Sequence, residues 1–148
     1  MARILRMKFR VVARKLDVFL SNTTTFTLTA TSGMGEYMND PAHSNRRGEG
    51  PLPIGTYTVN PRELSDPNIV LDYRLNWMDG DWGDWNIPLH PARGTITHGR
   101  SGFYIHGGSK EGSLGCIDIG GGINGNTETN RLKGLIAATL NPFTVSVQ

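Results

Sequence analysis

The stretch Ile105-His106-Gly107-Gly108-Ser109-Lys110-Glu111-Gly112-Ser113-Leu114-Gly115-Cys116-Ile117 decides how this 148-residue chain is read. Phe103 to His106 has the apolar and aromatic make-up of a buried strand, and Gly107-Gly108 ends it. A glycine-rich excursion follows, and Ser-x-Gly-Cys brings the chain back. His106 and Cys116 lie ten positions apart with four glycines between them, so the loop can fold a thiol onto an imidazole. Such a neighbour raises the reactive thiolate fraction. Gly115 permits a sharp turn, after which its amide and that of Cys116 can face a developing oxyanion. On residues alone three roles stay open for the thiol: a small buried hydrophobe, a link to another chain, or a nucleophile.

Working outward, the composition favours β structure: 19 Gly and 8 Pro suit a turn-rich fold. Residues 3–12 alternate Arg3, Arg6, Lys8 and Arg10 with Ile4, Met7, Phe9 and Val11, which predicts an edge strand with a wet basic face. Residues 16–20 and 24–31 predict two further strands, making an antiparallel meander. Residues 32–53 read as an ordered loop, Gly55–Val59 as a strand, 61–94 as irregular, Thr95–Thr97 as a short strand and Phe143–Val147 as a closing strand. The one predicted helix is 127–140, with Thr127 as cap and Leu132, Leu135, Ile136 and Leu140 at helical spacing. No linker or repeat interrupts the chain, so residues 1–148 are expected to form one domain, with 1–15 a basic N-terminal strand.

Charge and length exclude several classes. Fifteen basic residues against 13 acidic ones give +2, too balanced for a nucleic-acid footprint. Basic residues break every apolar stretch near the start, so neither a cleaved signal nor a transmembrane segment is expected. A single cysteine rules out an intramolecular disulfide. His98, His106, Cys116 and an acid could ligate zinc by donor type, but no paired His or Cys spacing supports it, so neither metal nor cofactor is expected. The segment Asp79–Trp85 resembles a calcium loop but lacks the closing Glu.

Ile105-His106-Gly107 followed by Ser113-x-Gly115-Cys116-Ile117 resembles the signature of the YkuD-like L,D-transpeptidases. Thr29–Gly33 and the segment Gly50-Pro51-Leu52-Pro53-Ile54-Gly55-Thr56-Tyr57 narrow the likeness to the small type VI secretion effectors with L,D-transpeptidase and L,D-carboxypeptidase activity. The resemblance spans roughly residues 16–120. It implies a mainly β sandwich or barrel with one helix in the C-terminal half. It also implies that Cys116 is the nucleophile and His106 its base, oriented by the Gly107 carbonyl. Gly115 and Cys116 would supply the oxyanion hole, and Ser113 would brace the loop. The implied substrate is the peptidoglycan tetrapeptide stem. The implied setting is synthesis in the cytoplasm without a signal peptide, secretion, action in a target bacterium's periplasm, and an immunity protein as partner. One departure stands out: family members place Arg or Asn two positions after the Cys, where this chain has Asp118. Arg46, Arg47, His98 or Arg100 are then the candidates for substrate binding, with Trp82 and Trp85 as flat walls. A non-catalytic wall-binding or phage-associated module of the same fold is the alternative reading.

Overall fold

The computed structural model describes residues 2–66, 85–108, 115–121 and 125–148. Ser113, Trp77, Trp82 and most of the acid-rich 79–85 segment lie outside them. Eight strands are described: β1 (Ile4–Arg10), β2 (Lys15–Leu20), β3 (Thr25–Thr29), β4 (Gly55–Val59), β5 (Asn86–Pro91), β6 (Phe103–Gly108), β7 (Ile117–Gly121) and β8 (Phe143–Val147). One helix, α1 (Thr127–Ala138), precedes β8.

The strands form a single sheet in the order β3-β2-β1-β8-β4-β5-β6-β7. Two neighbouring pairs, β1·β8 and β6·β7, run parallel and the others antiparallel. The two ends of the sheet nearly meet. Just past β3, Thr31 exchanges backbone hydrogen bonds of 2.9 and 2.8 Å with Asp118 of β7. The result is a nearly closed, barrel-like sheet, its two edge strands β3 and β7 joined at one point.

Period-two alternation fills its interior. Met7 and Phe9 of β1 face Val18 and Leu16 of β2, and all four are fully buried. Tyr57, Ile87, Ile105, Ile117 and Val145 continue the inner face. Each fully buried side chain of this size contributes about 1.5–3 kcal/mol. The helix closes one side. Asn126 caps it through a box in which its side chain accepts from the Thr129 amide at 2.9 Å and its own amide donates to Thr129 Oγ1 at 2.8 Å. Its buried face presents Leu132, Leu135 and Ile136.

Four expectations need correction. β1 is not an edge strand, because β8 pairs parallel with it, a partnership made by residues at the far end of the chain. Its basic face does point outward, where Arg10 grips Asp17 with two hydrogen bonds and Arg6 stacks on the Phe19 ring. Residues 95–97 form no strand, whereas 86–91 do, despite Pro88 and Pro91. The helix cap is Asn126 rather than Thr127, and the helix ends at Ala138, leaving Leu140 68% exposed. β7 was not expected, because Gly120 and Gly121 obscure the alternation of Ile117 and Ile119.

Candidate active site

His106 stands near the end of β6 and is only 7% exposed. Its Nδ1 lies 2.6 Å from the Gly107 carbonyl oxygen. A carbonyl only accepts, so Nδ1 carries the proton in this bond and Nε2 is left as the basic nitrogen.

Cys116 immediately precedes β7, which runs parallel to β6 with His106 in register with Asp118. The thiol is 7% exposed and donates to the Gly102 carbonyl at 3.8 Å. Burial pushes it up to about 11. A hydrogen bond from the Tyr104 amide opposes that rise, the nearby Asp118 charge adds to it, and the charge of Arg100 opposes it. With a value near 11, only about one thiol in 10⁴ is ionised at pH 7.

The turn before Cys116 is packed against Arg100. Gly115 sits at φ +109°, and a Cβ built there would lie 2.0 Å from Arg100 Nη2. Both the backbone and the space demand glycine. Arg100 is itself 6% exposed. Its Nη1 donates to the carbonyls of Ser44 and Pro51, and its Nη2 to that of Gly50 at 3.0 Å. The same loop is strapped further along: the Leu52 amide donates to Ser32 Oγ at 2.7 Å, and the Tyr57 hydroxyl to the Pro53 carbonyl at 2.7 Å. The Gly-Pro-x-Pro-x-Gly segment is thus the wall on which Arg100 and the Cys116 turn rest.

The structure packs Gly115 and Cys116 beside Arg100 at the head of β7, and places His106 and Gly107 further along β6, with His106 level with Asp118, two residues after Cys116. The other candidates are dispersed. Arg46 stacks on the Tyr37 ring and lies 3.8 Å from Glu49. His98 is exposed in a left-handed turn at φ +57°. Arg47 is exposed, donates to the Gly99 carbonyl at 3.3 Å, and lines a cavity of about 230 Å³ with Gly48, Gly99, Arg100 and Ser101. Trp85 is no substrate wall: it is 1% exposed, and its Nε1 donates to the Thr129 carbonyl at 3.1 Å, joining the start of β5 to the helix. Asp118 is 3% exposed and accepts from the Gly120 amide at 2.9 Å, so its carboxylate belongs to the interior. Among the described residues no group of three His, Cys, Asp or Glu side chains could hold a metal ion. Sequence reasoning missed the Gly102 carbonyl and the Tyr104 amide at the sulfur, and the clamp made by Arg100. The partners of Arg100 lie about fifty positions away, and no local pattern announces them.

A nearly closed mainly β sheet, with a histidine on one strand and a cysteine at the head of its parallel neighbour, has the fold of an L,D-transpeptidase. Solved structures with this fold include Mycobacterium tuberculosis L,D-transpeptidase 1 (TM-score 0.53, 17% identity, 98% of this chain and 61% of that one). The L,D-transpeptidase from Mycobacterium smegmatis is similar (0.51, 15%, 99% and 59%), as is Bd1075 of Bdellovibrio bacteriovorus (0.58, 15%, 99% and 47%). The chain spans about half to three-fifths of the length of these proteins. No curated protein sequence matches it. The chain belongs to the Tlde1-domain family, matched across residues 26–136, a family of type VI secretion L,D-transpeptidase effectors. Family and fold are those of peptidoglycan-modifying enzymes.

Proposed function

We propose that the protein is a cysteine acyl-transfer enzyme that trims or exchanges the terminal D-amino acid of peptidoglycan tetrapeptide stems. The observation that carries this reading is the His106 ring. With Nδ1 donating to the Gly107 carbonyl, Nε2 is the basic nitrogen of the ring, and a thiol stands at the head of the adjacent strand. Nε2 takes the Cys116 proton as Sγ attacks the carbonyl of the L-centre residue, which the family likeness makes a diaminopimelate. The amides of Gly115 and Cys116 receive the oxyanion. The tetrahedral adduct collapses, the C–N bond breaks, and the departing D-amino acid takes the proton from His106. The thioester then passes to water, giving a shortened stem, or to another D-amino acid, giving exchange. In each case His106 takes the incoming nucleophile's proton and returns it to the thiol. Arg47, an exposed cation lining the cavity beside Arg100, is the candidate for the stem carboxylate. Membership of an effector family supports action in the periplasm of a target bacterium after secretion, with an immunity protein in the producer. Among the described residues no helix is long and apolar enough to cross a membrane.

The test is incubation with tetrapeptide muropeptides and mass spectrometry of the products. Loss of D-alanine with wild type and not with Cys116→Ala supports the reading. No loss, or equal loss, overturns it. The buried thiol, pushed up to about 11, favours a second reading, a non-catalytic wall-binding module. Cys116-dependent turnover in the same assay excludes it.

A further inference from the structure

We propose that Arg100 is a positioning residue for the nucleophile: its guanidinium clamps the 44–51 loop against Gly115 and holds a fixed positive charge beside Cys116. This rests on the reading of Cys116 as nucleophile.

The argument is geometric. Burying a cation is costly unless its donors are satisfied. Arg100 is 6% exposed, and it spends donors on three backbone carbonyls, those of Ser44, Gly50 and Pro51. The planar guanidinium can span several acceptors at once, which an ammonium cannot. Its Cζ lies 5.7 Å from the centre of the Phe103 ring, and Phe103 in turn meets Tyr57 edge-on. The remaining side is Gly115, where the absence of a side chain is what admits Nη2. The residue before the nucleophile is therefore shaped around this arginine. Displacing the guanidinium frees both the turn and the loop at once.

The charge matters as well. Among the described residues, the groups that act on the sulfur or its arginine include Asp118 on β7, the Tyr104 amide on β6 and Tyr57 on β4. Asp118 works against ionisation of the thiol, whereas Arg100 favours it and keeps its charge at every working pH. As the proton leaves Sγ, a cation already fixed in place stabilises the developing thiolate without reorganisation. A residue that bound the substrate carboxylate instead would act through KM.

The experiment compares wild type, Arg100→Gln and Arg100→Lys in the full chain. It measures the rate of iodoacetamide alkylation of Cys116 against pH, kcat and KM on tetrapeptide stems, and thermal melting. Arg100→Gln is expected to move the alkylation midpoint up by about one unit, roughly tenfold slower at fixed pH. Its kcat should fall with KM nearly unchanged. Arg100→Lys should restore the midpoint and recover only part of kcat. An unchanged alkylation profile in folded Arg100→Gln, or a loss confined to KM, overturns the proposal. If Arg100→Gln does not fold, Arg100→Lys decides. A kcat at least about tenfold lower with an unmoved midpoint supports the clamp, and wild-type kcat overturns it. Because alkylation needs no stem peptide, a wild type that is alkylated yet turns over no muropeptide sinks the proposed function, while the alkylation profiles still judge Arg100.

Discussion

Cys116 and His106 are equally buried, each at 7% exposure, and burial penalises the charged form of the thiol. For the thiol the consequence reaches stability. Its folded value near 11 lies above the ~8.5 of an unfolded cysteine. The neutral thiol's contribution is therefore complete below about pH 8.5 and is lost as pH rises towards 11. Urea melts of wild type should weaken across that window by up to about 2 kcal/mol more than those of Cys116→Ala. Parallel slopes would mean that the thiol is not held neutral by the fold. At the neighbouring position, Gly115→Ala forces a side chain into φ +109° and onto Arg100. It should cost about 1–3 kcal/mol in a melt and abolish most turnover. The His-Gly and Ser-x-Gly-Cys residues were legible because their chemistry is local in sequence. The clamp on Gly115 was not, because each of its partners comes from a loop about fifty residues earlier.

At the scale of elements, two small networks carry testable weight. Asn126→Ala removes the capping box of α1 and should cost about 1 kcal/mol by thermal denaturation. On the outer face of the meander, burial pushes the Asp17 carboxyl up. The hydrogen bonds from Arg10 and Thr27, with the charges of Arg10 and Lys8, outweigh it and hold the group below its usual range. A lowered value in the folded state contributes stability above the unfolded ~3.9 that is lost as pH falls. Wild type should therefore lose more stability than Asp17→Asn between about pH 6 and pH 3 in urea melts. Equal losses would assign the acid sensitivity elsewhere. Elements with clean alternation were legible: β1 to β4, β6 and β8 follow from their patterns. β5 was hidden by two prolines, and β7 by a buried aspartate and two glycines. Both are strands because neighbours pair with them, which is a tertiary effect that local propensity does not carry.

For the molecule as a whole, the closing contact is the one between Thr31 and Asp118. It joins the far end of the meander to the strand that follows Cys116, so the sheet's closure and the candidate site's geometry are one construction. Thr31→Pro removes a donor from the Asp118 carbonyl, and a buried acceptor deprived of its partner costs about 1–3 kcal/mol. Melting temperature and muropeptide turnover should fall together in this variant. Placing β1 inside the sheet was beyond the sequence for the same reason: alternation shows which face is wet but not which strand lies alongside. The central claim is that this sheet exists to present Cys116 and His106 to a stem peptide. Its most direct test is the tetrapeptide muropeptide assay with wild type, Cys116→Ala and His106→Ala. The account predicts release of the terminal D-alanine by wild type alone, with both variants folded and inactive. Turnover that survives Cys116→Ala, or a folded wild type that leaves the tetrapeptide intact, would contradict it.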